Sequence, residues 1–276
     1  MHRLFVYGRL RRGEELHERL KGADCVSLHA WVYGKLEDTG NGWPLLKEDP
    51  LQRVYGEMYK VTIDQLQTIR TDSSIGGLIE WTAYNDRAQS FEVIVPLYKD
   101  AVRETARSIP LGDWKVYRYL MREDLFYFAY GSCMDDERFK LAKVDQHFND
   151  SIGKALLHNH GFRLSRSSND GGKADIIESF GEQVEGIVYK VPMEAIDYLY
   201  QREGVYSNAY RPAVVQVELK SGQIVDTLTF IGMEKQKETA PTPKYAEEIL
   251  RGAEGILSGG YIDGLRRRLL NLLNKG

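Results

Sequence analysis

Long apolar runs are missing from this sequence. No stretch approaches the ~20 consecutive apolar residues of a membrane-spanning helix. The N-terminal segment MHRLFVYGRLRRG carries only a short apolar run, Leu4-Phe5-Val6, where a secretory leader needs roughly 7–15 such residues. Cysteine is equally scarce: Cys25 and Cys133 are the only two, which excludes a disulfide framework and any multi-cysteine metal motif. A reducing, cytoplasmic setting is the expectation. Charge of one sign is not in excess either. A formal net charge of −3 leaves no electrostatic footprint for nucleic acid or an anionic membrane. The short basic clusters Arg9-Leu10-Arg11-Arg12 and Arg266-Arg267-Arg268 are expected on solvated helix faces. What is present is the balance of an ordinary globular protein, 42% hydrophobic and 28% charged over 276 residues. That length accommodates two domains.

Self-similarity supplies the organisation. Phe5-Val6-Tyr7-Gly8-Arg9-Leu10 returns as Phe128-Ala129-Tyr130-Gly131-Ser132-Cys133. Val54-Tyr55-Gly56-Glu57-Met58-Tyr59-Lys60-Val61 returns as Val184-Glu185-Gly186-Ile187-Val188-Tyr189-Lys190-Val191. Each second segment leads into helical spacing, through Ile63, Leu66 and Ile69 or Ile196 and Leu199. Two motifs in the same order, twice, describe a tandem duplication. The expected domains are residues 1–122 and 123–276. Between the copies, Pro110 and Gly112 interrupt regular structure, and Trp114, Tyr117, Tyr119 and Leu120 predict a packed connector. A tail of two amphipathic helices is predicted from Tyr245 to Leu257 and from Tyr261 to Leu273, separated by Gly259-Gly260.

Short β-branched and aromatic runs dominate both copies, among them Glu92-Val93-Ile94-Val95, 213–219 and 226–231. Several alternate apolar with polar residues, as half-buried strands do. Helices fall between some of them without a regular βαβ series. The predicted class is α+β, each copy a small, mostly antiparallel sheet or barrel with flanking helices.

The segment Leu125-Phe126-Tyr127-Phe128-Ala129 reads as a strand running into Tyr130-Gly131-Ser132, and Asp135-Asp136-Glu137-Arg138-Phe139 as the acidic first turn of a helix. A strand, a glycine turn and a helix start expose several backbone N–H groups at one point. Such a point can hold a carboxylate or the oxyanion of a reacting carbonyl, although turns of this kind are also commonplace in purely structural roles.

At this point the second copy resembles the γ-glutamylcyclotransferases. The resemblance starts at Phe128-Ala129-Tyr130-Gly131-Ser132 and continues in family order. It runs through His160-Gly161-Phe162-Arg163-Leu164, Gly171-Gly172-Lys173-Ala174-Asp175-Ile176 and the segment 184–189. Gln201-Arg202-Glu203-Gly204-Val205-Tyr206-Ser207-Asn208-Ala209-Tyr210 and Ala240-Pro241-Thr242-Pro243-Lys244-Tyr245 complete it. The first copy is similar to the γ-glutamylamine cyclotransferase branch, through Phe5-Val6-Tyr7-Gly8-Arg9-Leu10-Arg11-Arg12-Gly13. The resemblance implies a small barrel with flanking helices, a γ-glutamyl small molecule as the partner and no cofactor or metal. It also implies Glu203 as catalytic acid–base, with the substrate gripped by Tyr127, Phe128, Ala129, Tyr130, Gly131 and Ser132 and contacted near Tyr210 and Phe230. Two departures bear on substrate choice. The family usually has Asn where this chain has Cys133, and a substrate-contacting tyrosine of some members aligns with Phe230.

The implied reaction is internal attack of the free α-amine of a γ-glutamyl compound on its own γ-carbonyl, releasing 5-oxoproline and an amine or amino acid. At neutral pH the amine is an ammonium, so a carboxylate must take a proton and return one to the leaving group. The tether makes conformer selection the main task of binding. Aligned on the shared Tyr-Lys-Val, the first copy places Ser73 opposite Glu203, so it keeps the turn Tyr7-Gly8-Arg9-Leu10 as a vestigial site and lacks the base. Asp72 is the nearest acid that a shift of register could bring in.

Two rival functions follow from the same residues: a non-catalytic γ-glutamyl binding protein, or an amide hydrolase using Cys133 with His158 or His160. The His158-Asn159-His160 pair is otherwise expected to be structural, at a strand start. Ser165 to Gly172 is loop chemistry and a candidate rim or lid. Glutathione, γ-glutamyl amino acids, γ-glutamyl amines and modified metabolites all share the recognised half of the substrate.

Overall fold

A computed structural model describes residues 1–99 and 106–275. The chain divides into two compact units, Met1–Arg118 and Tyr119–Gly276, a division four residues ahead of the expected 122/123 boundary. The connector explains the difference. Trp114 is buried in the core of the first unit and Tyr117 packs against that core. The Tyr119 hydroxyl accepts a hydrogen bond from the Phe126 amide (2.7 Å) in the second unit.

The first unit contains strands β1 (His2–Val6), β2 (Asp24–Tyr33), β3 (Lys35–Asp38), β4 (Pro44–Lys47) and β5 (Arg53–Val61), then helix α1 (Ile63–Arg70). Strands β6 (Ile75–Tyr84), β7 (Ser90–Tyr98) and β8 (Arg107–Ser108) and helix α2 (Trp114–Tyr119) follow. The second unit contains β9 (Leu125–Ala129), α3 (Asp136–Leu141), β10 (Asp150–Arg166), β11 (Lys173–Val191) and α4 (Met193–Arg202). It ends with β12 (Tyr210–Leu219), β13 (Ile224–Gly232), α5 (Pro243–Ala253) and α6 (Gly259–Leu273).

Each unit is a closed five-stranded barrel, in the order β1-β5-β2-β6-β7 in the first and β9-β11-β10-β12-β13 in the second. The order is the same in both, and each barrel closes through one parallel pair, Leu4 beside Ile94 and Tyr127 beside Leu228. All other barrel pairings are antiparallel. Closure leaves no unpaired strand edge. The first unit adds a small side sheet, β4-β3-β8.

The repeated glycine has one physical cause in both barrels. A Cβ on Gly56 would stand 2.2 Å from the Val6 carbonyl oxygen and 2.7 Å from the Phe5 ring. On Gly186 it would stand 2.4 Å from the Ala129 carbonyl oxygen and 2.6 Å from the Phe128 ring. Phe5 and Phe128 are themselves fully buried. In each unit the first strand's phenylalanine lies across a glycine of the neighbouring strand, and this contact fixes where that first strand ends.

Three details differ from the sequence expectations. Arg11 does not lie on a solvated helix face. It is buried, with its guanidinium on Asp113 (2.7 Å) and Glu57 (3.3 Å), because the turn around it folds over the barrel end rather than forming a helix. Arg266 and Arg268 do lie on a helix and pair with Asp263 and Glu238. His158 and His160 lie in mid-strand, not at a strand start, flanking a bulge at which Asn159 takes φ 60°. Gly259 and Gly260 do not separate the tail helices. They form the first turn of α6, whose N-cap Ser258 accepts from the Tyr261 amide, so the break falls earlier, at residues 254–258.

Replacing Gly186 or Gly56 by alanine is expected to destabilise the protein by about 1–3 kcal/mol through overpacking against backbone. Thermal unfolding checks this: the melting temperature should fall by several degrees in each variant, whereas Gly181→Ala, whose Cβ would enter open space, should show only the cost of its positive φ.

Candidate active site

Strand β9 ends at Ala129 under two constraints from β13. Thr229 donates to the Phe128 carbonyl (2.9 Å) and the Tyr130 hydroxyl donates to the Phe230 carbonyl (2.6 Å). The chain then makes a tight turn. The Met134 amide donates to the Gly131 carbonyl (3.0 Å) and the Asp135 amide to the Ser132 carbonyl (3.3 Å). This short 3-10 turn, Ser132–Met134, intervenes before α3 begins at Asp136, so the turn does not run directly into the first turn of a helix as expected. Among the described residues, the N–H groups of Gly131, Ser132 and Cys133 have no backbone acceptor. Helix α5 backs the turn closely: a Cβ on Gly252 would come within 2.6 Å of the Asp135 amide. Arg251 clasps the buried Asp135 carboxylate, with Nε at 3.1 Å.

Helix α4 delivers the second half of the site. Ala195, Ile196, Leu199 and Tyr200 are buried, a helical spacing that sets one face on the barrel. The helix stops at Gly204, whose φ of 63° is the left-handed conformation that ends helices at little steric cost. The residue before it, Glu203, therefore caps the helix with its side chain turned back toward β9. Its Oε1 accepts from the Cys133 thiol (3.0 Å) and lies 3.4 Å from Arg202 Nε. Arg202 Nε also donates to Cys133 Sγ (3.2 Å). Burial pushes the Cys133 thiol up to about 11, outweighing the opposing effect of Arg202. At neutral pH this residue is therefore a thiol that donates to Glu203. Burial opposes the Arg202 charge, yet the neighbouring Cys133, Glu203 and Tyr198 raise its pKa overall. The hydroxyl of Tyr127 is held well above its ordinary range, first by burial and then by Cys133 and Glu203.

These groups enclose a small inner recess of about 30 Å³, whose walls include Tyr127, Tyr130, Gly131, Ser132, Cys133 and Glu203. Tyr210 and Phe230 complete it with Ala174 and Tyr245. The backbone of one residue, Ala174, holds both Tyr210 and Tyr245. Its N–H donates to the Tyr245 hydroxyl (3.1 Å) and its carbonyl accepts from the Tyr210 hydroxyl (2.7 Å). A wider cleft of about 470 Å³, within the size range of small-ligand sites, shares Ser132, Glu203, Tyr210 and Tyr245 with the recess.

Of the substrate-binding residues expected from sequence, Phe128 and Ala129 do not line the recess. Both are fully buried in the barrel, because alternate strand residues face opposite sides and these two adjacent residues are covered on both. Arg202, Tyr245 and Arg138 belong to the site and were not expected. Arg138 reaches the Ser132 hydroxyl (3.1 Å) while paired with Glu248 (2.7 Å). Arg202 comes in on α4 beside Glu203, while the approach of α3 and α5 across the turn brings in Arg138 and Tyr245, which no local spacing announces. The loop between β10 and β11 is tied down, with the Gly172 amide donating to the Ala240 carbonyl (2.8 Å). Its Asp170 lines the wide cleft. His158 bonds Glu218 (2.7 Å) and His160 bonds the His158 carbonyl (2.8 Å), and neither lines the recess or the cleft.

The first unit keeps the turn and changes its surroundings. The Arg11 amide donates to the Gly8 carbonyl at 3.0 Å, matching the bond in the second unit. Tyr98 packs directly on Gly8, so that a Cβ there would stand 2.8 Å from its hydroxyl oxygen. The hydroxyls of Tyr7 and Tyr98 are buried without a well-formed hydrogen bond. Burial raises the pKa of Tyr98, and the nearby N–H groups of Leu10 and Arg9 act in the opposite sense. Leu10 is in the core and Arg9 is turned outward to Glu15 (3.2 Å). Thr71 caps the shorter helix α1. Although burial opposes it, hydrogen bonds from Ser74 and the charge of Arg19 hold Asp72 below the usual carboxylate range. Its two oxygens are engaged by the Ser74 amide (2.8 Å) and Arg19 (2.7 Å).

Comparison with known proteins agrees with this geometry. Residues 4–116 match the family described as gamma-glutamyl cyclotransferase, AIG2-like, and residues 183–265 match the AIG2-like family. The chain is 37% identical, over 99% of both sequences, to the "Putative gamma-glutamylcyclotransferase YkqA" of Bacillus subtilis (strain 168). The crystal structure of that protein superposes with a TM-score of 0.89 at 34% identity, covering 98% of each chain. Human gamma-glutamylcyclotransferase is 29% identical over 138 residues, 48% of this chain and 71% of the human one. With a relative similar over its whole length and a family match in each unit, the chain belongs to the γ-glutamylcyclotransferase family, as a tandem member with two copies of the fold.

Proposed function

We propose that the second unit converts a γ-glutamyl amide to 5-oxoproline and a free amine, with Glu203 as the acid–base. The observation that carries this reading is the placement of one carboxylate, Glu203, in the lining of the same recess as the Gly131-Ser132-Cys133 turn, whose N–H groups have no backbone acceptor among the described residues. Glu203 takes a proton from the substrate α-ammonium. The amine nitrogen then bonds to the γ-carbonyl carbon, and the turn's N–H groups are the donors available to the oxyanion that forms. Glu203 returns that proton to the leaving nitrogen as the C–N bond breaks, then takes the second proton that the ring nitrogen sheds to become a lactam N–H and passes it to the departing amine, which leaves as an ammonium. Arg202 Nε lies 3.4 Å from Glu203 Oε1, and the Cys133 thiol donates to the same oxygen (3.0 Å), which fixes its orientation.

The cysteine hydrolase alternative is less well supported by the same geometry. A nucleophilic cysteine needs its thiolate, and burial disfavours it here. Neither His158 nor His160 is at hand to take the proton. The first unit supports a structural role, because Tyr98 covers its turn and Thr71, not a carboxylate, caps helix α1 where Glu203 caps α4.

Three outcomes are expected. Glu203→Gln should lower kcat for 5-oxoproline release by about 10²–10⁴-fold, with circular dichroism unchanged; more than a tenth of wild-type turnover would remove Glu203 from the mechanism. Cys133→Ser, which keeps a donor to Glu203, should retain turnover within about fivefold and show no new pH dependence between about pH 7 and 9; product analysis should give 5-oxoproline and no glutamate. Finally, any residual 5-oxoproline formation in Glu203→Gln should be unaffected by adding Asp72→Asn. A further loss in the double variant would make the first unit an active site.

A further inference from the structure

The inner recess is too small to hold a whole substrate, so the leaving half must occupy the wide cleft outside it. That cleft carries an imbalance of charge. Five cationic side chains line it against three carboxylates. Three of the cations have partners: Arg138 with Glu248 (2.7 Å), Lys173 with Asp170 (2.7 Å) and Arg202 with Glu203 (3.4 Å). Two are left over. Arg166, at the end of β10, lies over the Tyr210 ring at 5.4 Å and meets no carboxylate among the described residues. Lys244, in the first turn of α5, likewise meets none. The γ-glutamyl half brings an α-ammonium and an α-carboxylate, which cancel, and so leaves the surplus uncompensated.

Resting on the cyclisation reading above, we infer that the leaving half of the substrate is an acidic amine bearing two negative charges, such as a dicarboxylic amino acid, held between Arg166 and Lys244. Two like charges facing one cleft repel each other in the empty enzyme, and a doubly anionic ligand relieves that repulsion while pairing both. Arg166 is the stronger determinant of orientation. Its Cζ lies 5.4 Å from the centroid of the Tyr210 ring, and its guanidinium is able to take a carboxylate with two parallel hydrogen bonds. Lys244 is exposed and supplies a point charge at the mouth. A neutral or cationic leaving amine would satisfy neither.

The test compares γ-glutamyl-glutamate with γ-glutamyl-glutamine, two near-isosteric dipeptides that differ by one negative charge in the leaving half, by 5-oxoproline release from the full chain. The expected result is a kcat/KM at least tenfold higher for γ-glutamyl-glutamate, a preference that shrinks as salt is raised from about 0.05 to 0.5 M as screening predicts. In the double variant R166Q/K244Q, with its fold verified by circular dichroism and thermal unfolding, the ratio should fall to near one. Equal or better turnover of γ-glutamyl-glutamine by the wild-type chain would overturn the inference and leave the cyclisation reading standing. An unchanged ratio in the double variant would do the same for the two residues assigned here. No 5-oxoproline from either dipeptide, or from neutral γ-glutamyl amides, would overturn both.

Discussion

The contact on which both barrels depend is a phenylalanine ring laid across a glycine of the next strand. Phe128 over Gly186 and Phe5 over Gly56 bring two backbones closer than any side-chain pair would allow. A strand interior normally loses stability at glycine; here the ring covers the bare backbone and removes the cost. The same contact sets register. With Phe128 opposite Val188 and Ala129 opposite Ile187, β9 must stop at Ala129, and the Tyr130-Gly131-Ser132 turn must fall at the barrel end. Because a shift of one residue would exchange the faces of the strand, the position of the turn is as well determined as the core itself.

The rest of the site follows from what can reach that turn. Helix α4 arrives with its apolar face on the barrel and stops at a left-handed glycine, which leaves Glu203 as the last side chain before the chain reverses. Helix α5 arrives from the other direction, close enough for Gly252 to touch the Asp135 backbone, and brings Tyr245. The backbone of Ala174 then ties Tyr245 to Tyr210, its N–H donating to one hydroxyl and its carbonyl accepting from the other. Beneath it, the buried Asp175 accepts from the Gly232 amide (2.8 Å), Ser165 (2.9 Å) and Lys235 (2.8 Å). A buried carboxylate so fully partnered locks β11 to β13, and through its neighbour Ala174 it fixes the two tyrosines. The geometry of the candidate site is thus set by contacts of three strands and two helices, not by loops.

Much of this was legible in the sequence wherever the controlling interaction is local or repeated. The duplication, the α+β class and the turn could be read because Tyr-Gly and Gly-x-x-Tyr-Lys-Val recur in one order, and because each glycine serves the same contact in both copies. Glu203 was legible through resemblance and through its Glu-Gly junction, which is a helix stop in its own right. What stayed hidden depends on residues distant in sequence. Arg11 looked like one more surface arginine until the fold placed Glu57 and Asp113 around it. Arg202 and Cys133 are 69 positions apart and meet only when the barrel closes. Phe128 and Ala129 lie inside the motif that carries the family likeness, yet they line neither the recess nor the cleft and their side chains serve the core.

The difference between the two units traces to one position on the closing strand. Ile94 pairs with Leu4 in the first barrel and Leu228 with Tyr127 in the second. Four residues beyond each stands Tyr98 in one case and Gly232 in the other. In the first unit the tyrosine ring folds onto Gly8 and occupies the space beside the turn. In the second, a Cβ at Gly232 would already press within 2.9 Å of the Asp175 carboxylate, so no side chain can enter and the turn keeps an open recess in front of it. The two units share a barrel, a glycine contact and a turn hydrogen bond of the same length. Their divergence needs only a side chain that fills the recess in one copy and a carboxylate that faces it in the other. In the first unit the packing of the tyrosine ring beside the turn must offset the cost of two buried hydroxyls, Tyr7 and Tyr98, left without good hydrogen bonds.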